Sequence, residues 1–283
     1  MLPTVSIFGY DVGTYTICSV IGMMVASLYV FFRVKGRSDL DSVQLINLAA
    51  ISGLGAFFGA HILFAFTKRN IVIMVISDPS RFFTDFEQSL QVLLNIFGGM
   101  VFYGGLIGGL IAGIYYSKHL KHMNLDTWLY ADVYAPAIPL FHMFGRVGCF
   151  LGGCCYGIEN KWGFVYHSAP IPESNGVVRL PIQLIEATGN LLLFLFLHIL
   201  SKRSHRKGVL MPSYIAMYSI MRFTLEYYRG DSIRGFYGCF STSQWISIML
   251  LIVSVVVLGI IWKKDRPSGF DGISMDSSLG LRK

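Results

Sequence analysis

Seven stretches of this chain are apolar over close to the roughly 20 residues that a helix needs to cross a bilayer. In hydrocarbon every backbone N–H and C=O must be paired within the chain, and a run of this length achieves that only as an α-helix. The runs lie at about 13–32, 43–66, 97–117, 126–144, 181–201, 208–228 and 242–262. The expected fold is therefore an all-α membrane protein of about seven transmembrane helices. Composition agrees: 14% of the 283 residues are charged, against about a quarter in soluble domains.

The fourth run is interrupted by Asp132, Pro136 and Pro139, which predicts a kinked helix whose freed carbonyls find other partners. Between the second and third runs, Phe82 to Phe97 alternates as an amphipathic helix would, and is expected to lie on the membrane surface. No basic segment precedes the first apolar run, so that run is read as a span and not as a cleavable leader. Residues 1–266 are read as a single polytopic membrane domain and 267–283 as a flexible cytoplasmic tail.

The net charge of +7 does not point to nucleic acid, because the basic residues sit in short loops between apolar runs. There they act as orientation signals. Roughly fourteen lysines and arginines fall on one side of the predicted topology and about eight on the other, which by the positive-inside rule places the N-terminus outside and the C-terminus in the cytoplasm.

That topology brings several residues unusual for a membrane to one depth, near the outer face. His61 ends the second span, Tyr103 lies in the third, Arg146 follows the fourth, and Arg222 and Glu226 close the sixth, with Arg229 beyond. Ionisable groups at such depth usually face a polar cavity or one another. Tyr218, Arg222, Glu226 and Arg229 recur at i, i+4, i+8 and i+11, a stripe on one helix face. An Arg222–Glu226 pair could simply brace a bundle. It could equally form an anion clamp, since the planar guanidinium fork matches phosphate.

The densest signal is His142-Met-Phe-Gly-Arg146-Val-Gly148-Cys149-Phe-Leu-Gly152-Gly153-Cys154-Cys155. Its glycines would let backbone amides approach an anion, and His142 and Arg146 share a helix face. The cysteines allow three readings: apolar packing, a disulfide on an oxidising side with Cys239 as partner, or residues lining a site. Cys-x4-Cys-Cys is not a standard zinc spacing, so neither a metal nor any other cofactor is expected. In the third span, Gly104/Gly108 and Gly105/Gly109 are small-x3-small pairs, read as close helix packing.

Four motifs in this order resemble bacterial prolipoprotein diacylglyceryl transferases: Phe102-Tyr103-Gly104-Gly105-Leu106, Gly145-Arg146-x-Gly148, Pro181-x-Gln183-x-x-Glu186, and Tyr218-x3-Arg222-Phe-x2-Glu226-x2-Arg229. The resemblance implies a multi-pass enzyme of the bacterial inner membrane whose site opens outward. It implies transfer of a diacylglyceryl group from phosphatidylglycerol to the lipobox cysteine of a preprolipoprotein, at its signal peptide, leaving glycerol 1-phosphate. Within that family pattern Tyr103 stands where histidine is usual, Cys149 where asparagine is, Cys154 where glutamate is, and His61 where arginine is common. Arg146, Arg222, Arg229, Glu186 and Glu226 match.

Two needs follow from this chemistry. Charge growing on the phosphate must be neutralised, which falls to Arg146 and Arg222, with Glu226 orienting Arg222. A thiol of pKa near 8.5 must also lose its proton, which falls to His142 first and Tyr103 second. Gly148, Cys149, Cys154, Gln183, Glu186, Tyr218, Arg229 and His61 complete the expected site. Two alternatives are a related phospholipid-using transferase with another acceptor, and a non-enzymatic lipid-binding or thiol-redox membrane protein.

Overall fold

The computed structural model describes residues 2–7, 9–78, 85–99, 102–167, 169, 171–203, 206–230 and 236–263. Arg81, Phe82, Arg234 and the tail from 264 onward lie outside the described residues. The chain is mainly helical and divides into two units, one of residues 1–35 and 128–283 and one of residues 36–127.

In the first unit a hairpin of β1 (Thr4–Ile7) and β2 (Tyr10–Gly13) leads into α1 (Thr14–Val34). In the second, α2 (Ser42–Thr67) is followed by α3 (Arg69–Ser77), α4 (Phe86–Phe97) and α5 (Phe102–His122). The chain continues with α6 (Thr127–Tyr134) and α7 (Ala137–Gly152). A bulged two-stranded ribbon, β3 (Glu159–Val165) with β4 (Val178–Arg179), then leads to α8 (Ile182–Lys202) and α9 (Leu210–Glu226). A short hairpin of β5 (Phe236–Tyr237) and β6 (Phe240–Ser241) precedes α10 (Thr242–Lys263).

Among the described residues, α1, α2, α8 and α10 are long and apolar enough to cross a membrane. Their outward faces carry large apolar side chains such as Met24, Phe58, Leu192 and Val255, as a surface meeting lipid requires. Each of the other predicted runs also holds helix, with altered bounds. The third begins at Phe102 and not near residue 97. The predicted amphipathic segment holds helix α4, starting at Phe86 with the Asp85 side chain accepting from the Gln88 N–H at its N-cap.

The fourth run is not one kinked helix but two, parted at Ala135–Pro136. Pro136 caps α7 and Pro139 falls in its first turn, where no intrahelical N–H is needed. Asp132 is buried because its carboxylate accepts from the N–H groups of Gly208 (2.7 Å), Leu210 (2.9 Å) and Met211 (3.1 Å). It caps α9 from a distance of more than seventy residues in sequence, satisfying N–H groups that Val209, without a capping side chain, leaves open.

Within the second unit α2 and α5 pack through glycines. A Cβ on Gly59 or Gly104 would collide with the other's carbonyl oxygen, and Gly55 and Gly108 stand in the same relation. The small-x3-small reading of α5 is thus met by a matching pair on α2. In the first unit α7 packs on α1, where Gly148 leaves only 3.0 Å between an added Cβ and the Cβ of Cys18.

Candidate functional site

The polar centre of the first unit is built by three helices. Glu186, on α8, is 1% exposed and serves two arginines. Arg146 from α7 reaches its Oε1 at 3.0 Å, and Arg222 from α9 reaches its Oε2 at 3.5 Å. Arg222 also pairs with Glu226 one turn on, at 3.0 Å, and the Ser241 hydroxyl donates to the far oxygen of Glu226 at 2.9 Å. Tyr218 donates to Glu186 at 3.5 Å, and Arg222 donates to Ser243 at 3.5 Å. A buried carboxylate is tolerable only when paired, and here one carboxylate holds two guanidinium groups from different helices.

His142 belongs to the same cluster. Arg146 Nε donates to His142 Nε2 at 3.3 Å, and that nitrogen lies 4.0 Å from Glu186. Since an arginine N–H can only donate, His142 Nε2 offers its lone pair to Arg146. The imidazole ring lies 5.3 Å from that of Tyr218.

The residues after Arg146 are shaped by the end of α7. Gly153, in the left-handed region at φ 73°, closes the helix with two bonds: Cys154 N–H to the Cys149 carbonyl (3.1 Å) and Gly153 N–H to that of Phe150 (3.3 Å). This Schellman closure folds the residue after the left-handed position back over the helix's last turn. Cys154 therefore returns onto Cys149. Cys155 is itself left-handed, at φ 56°, and its thiol joins them: the three sulphur atoms lie within 4.8 Å of one another. Gln183 fixes the turn by donating to the Cys154 carbonyl at 2.7 Å, while the Tyr166 hydroxyl donates to Gln183 Oε1 at 3.2 Å. Arg229 lies alongside Cys155. The Cys154 thiol donates to the Cys149 carbonyl at 3.7 Å.

His142, Arg146, Glu186, Tyr218, Arg222 and Glu226 are thus gathered, with Cys149, Cys154 and Arg229 adjoining. Arg146 lies within α7 and not beyond its end, because the helix continues to Gly152. Arg229 lies past the end of α9 and bridges to Gly157, so the helical stripe stops at Glu226. Gln183 is fully buried and acts as a brace for the cysteine turn, and Gly148 is packed against α1. His61 and Tyr103 belong to the second unit. The His61 ring bonds the Phe97 carbonyl at 2.6 Å, and Tyr103 lies in the first turn of α5, its side chain outside the described residues. All five thiols are free, and Cys239 is exposed.

Sequence reasoning ranked Glu186 below Glu226, and it left Cys155 and Ser241 out of the site. The i, i+3 spacing of Gln183 and Glu186 places both on one face of α8 and was the available signal for the first. Only the backbone of the turn reveals the second.

Comparison with known proteins shows the family. A family model described as prolipoprotein diacylglyceryl transferase matches residues 3–260. The chain is 32% identical over 262 residues to phosphatidylglycerol–prolipoprotein diacylglyceryl transferase 2 of Clostridium perfringens, covering 92% of this chain and 95% of that protein. It is 29% identical over 256 residues to phosphatidylglycerol–prolipoprotein diacylglyceryl transferase of Clostridium tetani, covering 90% and 95%. The protein of that name from Campylobacter hominis is 31% identical over 255 residues.

Proposed function

The chain belongs to the prolipoprotein diacylglyceryl transferase family, and from that premise we propose that it moves a diacylglyceryl group from phosphatidylglycerol to the lipobox cysteine thiol of preprolipoproteins. The observation that carries the site assignment is the sharing of Glu186 by Arg146 and Arg222.

Arg146 and Arg222 bind the phosphodiester. Held on separate helices by one carboxylate, they present two forks at fixed spacing with little reorganisation left to do. Glu226, anchored by Ser241, orients Arg222. As the phosphate draws Arg146 toward itself, the lone pair on His142 Nε2 is released, which suits His142 to take up the acceptor thiol's proton. Displacement breaks the bond from the diacylglyceryl carbon to the phosphate oxygen, and glycerol 1-phosphate leaves. A mainly apolar groove of about 380 Å³ is lined by Ile185, Thr188, Gly189 and Leu192 of α8 and Met221 and Leu225 of α9. Its wall residues adjoin Glu186, Arg222 and Glu226 in sequence, which suits it to an acyl chain. A Cβ on Gly189 would meet the Met221 sulphur and displace that side chain.

The topology proposed with this function is seven spans in the bacterial inner membrane, the N-terminus and the site toward the outer face and the C-terminus in the cytoplasm. The lysine and arginine asymmetry supports it, as do helices within all seven apolar runs. Residues 1–266 would act as one membrane domain. The direct test is transfer of labelled diacylglyceryl from phosphatidylglycerol to a lipobox peptide, with a peptide bearing serine in place of the cysteine as control. Label on the cysteine peptide alone is expected. No transfer to it would contradict the assignment.

A further inference from the structure

The mechanism above leaves the three clustered thiols unused, and apolar packing explains only part of them. A Schellman turn commonly brings its returning residue against the helix's last turn, so Cys149 and Cys154 could be an ordinary contact of that kind. Cys155 is not covered by that account. It is a non-glycine residue at φ 56°, a conformation that costs an L-residue about 1–2 kcal/mol. Such strain persists only where surrounding structure enforces it. Here the enforcing contact is Gln183, whose amide grips the Cys154 carbonyl at 2.7 Å, and the result is a third sulphur beside the other two.

Three sulphur atoms within 4.8 Å of one another suit a tetrahedral thiophilic cation: with Zn–S near 2.3 Å, ligands sit about 3.8 Å apart. Three thiolates around a divalent cation carry one net negative charge. Arg146 lies close enough to act electrostatically on Cys149 and Cys155, and Arg229 does so on Cys155, so that charge is matched. Sequence spacing argued against zinc because Cys-x4-Cys-Cys is not a usual ligand pattern. The Schellman turn removes the objection by closing the four-residue gap in space.

We propose that Cys149, Cys154 and Cys155 bind Zn(II) as a three-thiolate site, and that its fourth position takes the acceptor cysteine of the prolipoprotein as a thiolate. The proposal rests on the diacylglyceryl transferase reading and deepens it. Three protein ligands with one open position is the pattern of catalytic zinc, and the metal lowers the pKa of what it binds. On binding, the acceptor thiol loses its proton to His142, the base assigned above. Its sulphur then forms the S–C bond to the diacylglyceryl carbon as the C–O bond to phosphate breaks, with that electron pair leaving on glycerol phosphate. No oxidant or reductant is consumed. The neutral thioether is a poorer ligand than a thiolate, which frees the position for the next acceptor.

The test uses the full chain in detergent, reduced and then loaded with Zn(II) or Cd(II). Zn(II) is expected to protect Cys149, Cys154 and Cys155 from maleimide and to leave the exposed Cys239 reactive. The Cd(II) form is expected to show a thiolate charge-transfer band in the ultraviolet. A cysteine lipobox peptide should raise that band by about a third, one thiolate joining three, and its serine counterpart should not. Cys155→Ser should weaken metal binding by at least about tenfold, whereas Cys239→Ser should not alter it. The thiol-protection count needs no variant and stands if Cys155→Ser does not fold. Arg222→Ala should keep the band and its peptide response while losing transfer. Equal labelling of all thiols with and without Zn(II), a disulfide within the trio in chain purified without reductant, or a band indifferent to the cysteine peptide would overturn the proposal. Transfer activity in a chain that fails these tests would remove the metal and leave the family reading standing.

Discussion

The two units of this protein associate their helices by opposite means. Among the described residues, every buried charged side chain lies in the first unit, Asp132, Glu186 and Glu226 among them, while the second unit's buried Tyr116 hydroxyl donates to Gln44. The second holds α2 against α5 by near-contact of backbones at Gly55, Gly59, Gly104 and Gly108. Lipid gives helices no hydrophobic reason to associate, so either close van der Waals contact or internal polar bonding must do it. Glycine contact leaves no room for chemistry. Polar bonding places charged groups where water is scarce, and there each charge interacts strongly with a substrate.

The largest expected effect follows from deleting the shared carboxylate. Glu186→Ala strands the buried guanidinium of Arg146 and leaves Arg222 with Glu226 alone, at a cost of roughly 3–5 kcal/mol, and should abolish transfer. Glu186→Gln should fold better and still lose most turnover, since it keeps shape without charge. Circular dichroism melts beside transfer assays would separate the two effects. A fully active Glu186→Gln protein would make the cluster a brace and not a site.

Gly59→Val attacks the second unit's mode instead. Forcing a side chain against Gly104 should destabilise by about 1–3 kcal/mol. All four tryptophans, Trp128, Trp162, Trp245 and Trp262, lie in the first unit, so their fluorescence melt reports that unit while circular dichroism reports both. The circular dichroism melt should fall further than the fluorescence melt. Equal shifts would show that the units unfold together and that the contrast between them is only geometric.

Smaller still is Asp132→Ala, which uncaps α9 and should lower stability by about 1–2 kcal/mol, with turnover changing less than twofold at temperatures where the protein stays folded. A large loss of turnover there would mean that the start of α9 is coupled to Arg222 more tightly than one helix cap implies.

Much of this was legible in the sequence, for physical reasons that also mark where legibility ended. Each of the seven apolar runs contains helix, because a run of that length pairs its own backbone groups most readily that way. The Gly104/Gly108 pair announced close packing because only a missing side chain allows it. Arg222 and Glu226 stood out because charge is rare in such runs, and Arg146 because it sits among glycines just past the end of one. What escaped depends on distant pairing or on backbone direction. Asp132 looked like an interruption of a span until α9 supplied the three N–H groups it caps. Glu186 looked secondary because its two arginines come from other helices. Cys155 looked redundant because a left-handed turn cannot be read from cysteine spacing.

The central claim is that Arg146 and Arg222, set by Glu186, grip a phosphate through their planar forks. Turnover of Arg222→Lys with labelled phosphatidylglycerol and a lipobox peptide tests it most directly. Lysine preserves the charge and loses the two-point geometry. The account predicts a loss of roughly a hundredfold in turnover, the scale of removing one oriented donor from a charge-stabilising site. Near-normal turnover in the lysine protein would show that charge alone suffices, and would contradict the clamp.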